Sequence, residues 1–155
     1  MSEKIFAANW KMYLNDKESK EFISRITSNK EFFSEFNIMI FPNHLSIAAV
    51  QDLAKDLPNI KIGMQDCDAS TSGAITGSNS ITSLDVDSCI VGHSERRNVF
   101  NESNEIIKSK LNNCLNNIDS VILCVGEQLD EKEQNKTFEI IQKQLSILPK
   151  ELNGK

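Results

Sequence analysis

Two rhythms of apolar and polar positions alternate along the chain. Ile5–Ala8, Ile38–Phe41, Ile60–Met64, Cys89–Val91 and Val121–Val125 read as strands, and four of the five are nearly continuous apolar runs, as expected when helices cover one face of a sheet and packing fills the other. Between them the apolar residues fall at helical spacing. Phe22 and Ile26 lie four apart; Leu45, Ala49, Leu53 and Leu57 repeat at fours, as do Ile107, Leu111 and Leu115. Phe138, Ile141, Leu145 and Leu148 mark a last stripe, and Asn101 before Glu102 predicts the cap of the helix that carries Ile107. Strand starts at 5, 38, 60, 89 and 121 recur about every 29 residues, the interval of βα units with parallel strands and right-handed crossovers. Such units close into a (β/α)₈ barrel or spread into an open doubly wound sheet, and the pattern alone leans to the open sheet. No linker or composition shift divides residues 1–155, which read as a single domain.

Composition narrows the function classes. The 155 residues carry 17 Lys+Arg against 22 Asp+Glu, a formal charge of −5, so a basic nucleic-acid surface is not expected. The apolar runs are far shorter than the roughly 20 residues a membrane helix needs, and Met1–Lys4 has no secretory apolar core. Four cysteines (Cys67, Cys89, Cys114, Cys124) contain no C-x-x-C pair, so a reducing cytoplasm is the expected location.

Candidate chemistry collects at the expected strand ends, where parallel α/β folds place their sites. Lys11, after the first strand, offers an ammonium to an anion. His93 follows a Gly that ends the fourth strand and precedes a helical turn opened by Ser94. The positive end of that turn disfavours imidazolium, so His93 should be neutral and able to donate a hydrogen bond. Only three cations are Arg, and two stand together as Arg96-Arg97, where planar forks suggest ion pairs that Lys cannot copy. His44 reads as a capping or surface residue, Cys89 and Cys124 as small buried hydrophobes, and Gly73 and Gly77 as turn-makers. Asp130–Glu133 reads as a solvated face. Metal-ligand spacing, a P-loop and G-x-G-x-x-G are all missing from the sequence.

Four segments carry a family resemblance: Phe6-Ala-Ala-Asn-Trp-Lys-Met12, Gly73-Ala-Ile-Thr-Gly77, Ile90-Val-Gly-His-Ser-Glu-Arg-Arg97 and Cys124-Val-Gly-Glu127. In this order and spacing they resemble triosephosphate isomerase. The resemblance implies a (β/α)₈ TIM barrel of which this chain holds about five βα units. It also implies interconversion of dihydroxyacetone phosphate and glyceraldehyde 3-phosphate in glycolysis and gluconeogenesis, with no metal or cofactor. Asn9 and Lys11 match the family's substrate-binding pair, and Lys11 and His93 its catalytic pair, His93 as the electrophile that polarises the carbonyl. Ser94 and Glu95 match supporting positions. Thr76, Arg96 and Arg97 match positions at the interface of a homodimer, expected for the complete protein.

The departures are Tyr13 for a common Asn, Ser78 for the acid after Thr-Gly, and Asp66 for an Asn beside Gln65. The family's sixth-strand catalytic Glu and last phosphate loops have no counterpart, and Glu127 matches a structural Glu. Eight units need about 230 residues, so the isolated chain is expected to be inactive, and poorly soluble, loosely ordered or self-associated. The alternative is a truncated, non-catalytic remnant or binding module of the same fold.

Overall fold

The computed structural model describes residues 4–151. Strand β1 (Ile5–Asn9) leads to helix α1 (Asp16–Ser28) and the single turn α2 (Lys30–Phe33); β2 (Asn37–Phe41) leads through a 3₁₀ turn at His44–Ser46 to α3 (Ile47–Ala54). After β3 (Ile60–Met64) a long loop, residues 65–87, precedes β4 (Ser88–Val91), the short α4 (Ser94–Asn98) and α5 (Asn104–Asn117). β5 (Ser120–Leu123) is followed by α6 (Leu129–Glu133) and α7 (Thr137–Leu145). All five expected strands are present, with ends shifted by a residue or two.

Neighbouring strands pair in parallel, in the order β1-β2-β3-β4-β5. A doubly wound sheet reverses its strand order at a switch point; this one runs straight through in chain order. The main core lies on one face, where Ile40, Ile62, Cys89 and Val91 from the strands meet Ile23 of α1, Val50 of α3 and Ile107 of α5. The opposite face holds a smaller cluster, Met39 and Phe41 of β2 with Ile90 of β4, joined by Ile122 and Cys124. β2 and β4 are not adjacent, so their side chains meet only because the sheet curls and β3 offers no bulk between them. Gly63 meets that need: a Cβ there would lie 2.5 Å from the Phe41 ring and 2.7 Å from the Ser88 carbonyl oxygen. A curled parallel sheet with helices outside and side chains filling the inside is five-eighths of a (β/α)₈ barrel.

Three expectations about the helices need correction. The stripe Leu45/Ala49/Leu53/Leu57 is not the buried one. Leu45 is 91% and Leu53 38% exposed and of the four only Leu57, beyond the helix, is buried, while α3 itself buries Ile47, Val50 and Ala54. The 3₁₀ turn at His44–Ser46 shifts the helical phase, and a count in fours from Leu45 misses that shift. Asn101 caps nothing; it takes a left-handed φ of 54°, and α5 starts three residues later, where the Ser103 hydroxyl accepts the Ile106 N–H. In α7 the Phe138 stripe exists but faces outward: Phe138 is 80% exposed, and the helix holds no buried residue. By contrast α1 follows the rule for its start. Asn15 accepts the Glu18 N–H and Glu18 accepts the Asn15 N–H, a reciprocal capping box.

Candidate functional site

The carboxyl ends of β1, β3 and β4 converge. Beyond β1, the Asn9 side-chain oxygen accepts the Lys11 N–H at 2.9 Å, and Trp10 N–H donates to the Phe41 carbonyl at 3.0 Å. These bonds turn the chain so sharply that Lys11 adopts a φ of 52°, sparsely populated by residues with a Cβ. Gln65, directly after β3, donates through Nε2 to the carbonyls of Lys11 (2.8 Å) and Phe41 (2.9 Å), tying three strand ends to one amide.

The turn aims the Lys11 ammonium at the β4 loop, where Nζ donates to Glu95 Oε1 at 2.7 Å. That bond raises the Lys11 ammonium above its ordinary value and holds the Glu95 carboxyl below its own. Both groups are therefore charged across the neutral range. The second Glu95 oxygen lies 3.4 Å from His93 Nδ1, so one carboxylate stands against both Lys11 and His93.

His93 is the cap of α4, and its Nδ1 accepts the Glu95 backbone N–H at 3.2 Å. With Nδ1 accepting that bond, Nε2 is the ring nitrogen left to donate. Among the described residues no hydrogen bond occupies Nε2. The arrangement can offer an anionic ligand a fixed ammonium and, beside it, a neutral N–H donor.

Other candidates lie at varying distance from that pair. Ser94 is exposed and opens α4. Thr76 stands in the exposed stretch 69–79, and among the described residues no hydrogen bond joins it to Lys11 or His93. Both arginines are engaged within the chain. Arg97 donates to the Gly92 carbonyl at 2.8 Å, to the Asn104 side chain at 2.8 Å and to the Cys124 carbonyl at 3.1 Å, joining the ends of β4 and β5 to the start of α5. Arg96 grips Glu102, lies 3.2 Å from Asp66 and rests over the Phe100 ring at 4.2 Å. Glu127 accepts the Thr137 hydroxyl at 3.2 Å, and Gln144 brackets the backbone of Gly126. His44 is half-buried, which lowers its tendency to protonate.

Sequence reasoning missed three features. One is the strand-tying role of Gln65. Another is the buried network in which Lys110 Nζ donates to Asp66 (2.7 Å) and Glu102 (2.6 Å) beside Arg96. Burial raises the Asp66 carboxyl above its usual range, against the pull of Lys110. A signal existed: Lys110 follows Ile107 by three on the buried face of α5, where the pattern calls for an apolar residue. The third is a cluster of Cys67, Cys89 and Cys114, brought together from two strand regions and α5 with no spacing in the sequence to announce it.

The larger apolar cavity, about 480 Å³, lies elsewhere, on the outer face of β1 and β2 between Phe6, Trp10, Phe22, Phe32 and Phe36. A second, of about 450 Å³, lies beside the β1 turn and is lined by Met12, Tyr13, Asn15, Asn43, His44 and Leu45.

The chain is similar to known proteins along almost all its length. The family model described as triosephosphate isomerase matches residues 4–155. A triosephosphate isomerase of Dictyoglomus thermophilum is 40% identical over 148 residues, 94% of this chain and 59% of that protein. That of Aquifex aeolicus is 37% identical over 147 residues, 93% of this chain and 59% of the relative. That of Bdellovibrio bacteriovorus is 35% identical over 150 residues, covering 94% and 61%. The chain thus spans about three-fifths of the length of the curated relatives it matches.

Proposed function

The chain belongs to the triosephosphate isomerase family, and we propose that it supplies the electrophilic half of a site interconverting dihydroxyacetone phosphate and glyceraldehyde 3-phosphate. The observation that carries this reading is the Lys11–Glu95–His93 arrangement, with an ammonium and a neutral imidazole against one carboxylate at the strand ends. Lys11 attracts the dianionic substrate and stabilises the negative charge that develops on the enediolate oxygens. Its position is fixed before the substrate arrives, so no reorganisation is needed at the transition state. His93 donates from Nε2 to the substrate carbonyl. Neutral imidazole in that role, opposite a glutamate base, is the established arrangement in triosephosphate isomerases. Asn9 holds the turn that presents Lys11, and Ser94 and Glu95 set the His93 cap.

Proton abstraction also needs a base within reach of the substrate carbon. Glu95 is held by Lys11, and Glu127 is engaged with Thr137. We therefore assign the base and the phosphate-binding loops to protein outside residues 4–151, supplied by further βα units of the same barrel. The exposed stripe of α7 and the open groove outside β1 and β2 support this, because further units would cover both. Residues 1–155 then act as one unit of a cytoplasmic, homodimeric enzyme whose isomerisation step calls on no metal or cofactor. Exposed Met12, Tyr13, Val99 and Phe100, with the Thr76 loop, are the surface for the second subunit. Arg96 and Arg97 shape that surface from within, Arg96 by holding Phe100. Among the described residues no helix is long and apolar enough to cross a membrane.

The test measures glyceraldehyde 3-phosphate turnover by the 155-residue chain alone and mixed with the last three βα units of the Aquifex aeolicus relative. Turnover in the mixture, absent from either part and lost with His93→Gln, is the expected result. A mixture that associates but shows no turnover would instead favour the non-catalytic remnant.

A further inference from the structure

The Cys67, Cys89 and Cys114 sulfurs lie within 4.8 Å of one another, with Cys67 and Cys114 only 3.3 Å apart. The three residues are 3%, 0% and 0% exposed and belong to the main core. They come from separate places: Cys67 from the loop after β3, Cys89 from β4 and Cys114 from the third turn of α5. Filling this part of the core needs no such convergence of thiols from three elements, since any aliphatic side chain of similar size would serve.

The spacing suits a shared ligand. A metal–sulfur bond of about 2.3 Å sets trigonally arranged sulfurs about 4 Å apart, within the range seen. A structural zinc site needs a fourth donor, and a catalytic one needs a water. Among the described residues the cluster has neither a fourth His, Cys, Asp or Glu ligand nor exposure to solvent. Soft sulfur donors with low coordination number and no oxygen select a soft monovalent ion. We propose that Cys67, Cys89 and Cys114 form a three-coordinate thiolate site for a soft d¹⁰ metal ion of the cuprous class, a property independent of the isomerase reading.

Ligation requires the thiols to give up their protons. Each thiol that joins the ion releases its proton to water. Lys110, four residues before Cys114 on α5 and 5% exposed, is the buried cation on the same helix, and it is shared with Asp66 and Glu102. Because Cys67 follows Gln65 by two and Cys89 precedes His93 by four, an occupied site would brace the strand ends that carry the isomerase candidates.

The experiment titrates the reduced 155-residue chain, without oxygen, with cuprous ion buffered by a weak chromophoric chelator. The expected result is one ion per chain with three sulfur neighbours at about 2.3 Å by X-ray absorption. A Cys67→Ala/Cys114→Ala variant should lose roughly 100-fold or more in affinity, whereas Cys124→Ser should keep it. No uptake by the folded chain, a shell containing nitrogen or oxygen, or uptake unchanged in the double variant would each overturn the site. The absorption measurement on the unmodified chain decides the matter even if the double variant does not fold.

Discussion

Replacing Lys110 by Met tests how the buried ion network contributes to the fold. The Lys110 ammonium makes two charge-assisted hydrogen bonds, 2.7 Å to Asp66 and 2.6 Å to Glu102, and its side chain is 7% exposed. Met keeps most of the volume, so the loss is electrostatic and no large cavity forms. Removing one partner of a buried ion pair typically costs about 3–5 kcal/mol, because the other charge stays buried. Arg96 remains on both carboxylates and takes up part of the loss, which places the expected cost near the lower end, about 3 kcal/mol. At about 2–4 °C per kcal/mol for a chain of this size, the thermal midpoint should fall by roughly 6–12 °C.

The cost should also depend on pH with a definite sign. Asp66 already takes up its proton more readily than usual because it is buried, and loss of Lys110 adds to that tendency. The folded state then binds more protons than the unfolded state above the ordinary carboxyl value of 3.8, so stability declines as pH rises through that window. Urea unfolding of both chains at pH 5 and pH 7.5 should show the larger deficit at pH 7.5. An equal or smaller deficit there, or no deficit at either pH, would mean that the network does not carry the stability assigned to it.

Three further outcomes follow. In a complemented barrel, His93→Gln should lower turnover far more than it weakens binding of a phosphate-bearing inhibitor, and equal losses would reduce His93 to a uniform binder. The Lys11–Glu95 pair should hold from above pH 4.5 to below 10.5, lost at the acid end as Glu95 protonates through its lowered value and at the alkaline end as Lys11 deprotonates through its raised one. Titration of the Glu95 carboxyl by NMR with a midpoint at or above 4.5 would deny the pair. Gly63→Ala should destabilise by about 1–3 kcal/mol, since the new methyl meets the Phe41 ring at 2.5 Å and backbone at 2.7 Å; an unchanged urea midpoint would show that the sheet curls for another reason.

The five strands were legible because four of them are runs of apolar residues short enough to exclude a helix and the third alternates about Lys61, and their spacing left only parallel topologies. The choice between barrel and open sheet was not legible from that pattern. It depends on strand order and on the contact of Phe41 with Ile90 across Gly63, which are facts of three-dimensional packing. Lys11 and His93 could be picked out because they stand next to strand ends, whereas Gln65 could not, since an amide shows its partners only after folding. The α3 stripe was misread because a single 3₁₀ turn changes the helical phase, and periodicity carries no record of that. Asn101 looked like a cap on composition alone; its left-handed backbone gives it another place in the loop before α5.

The bend at Lys11 has a consequence for any ligand that enters. A lysine arm ordinarily surrenders up to about 2 kcal/mol of rotamer freedom when it is fixed against a partner. Here the backbone is turned by Asn9 and Gln65 and the ammonium is tethered by Glu95, so that loss is settled during folding. An arriving anion meets a stationary charge instead of a searching one.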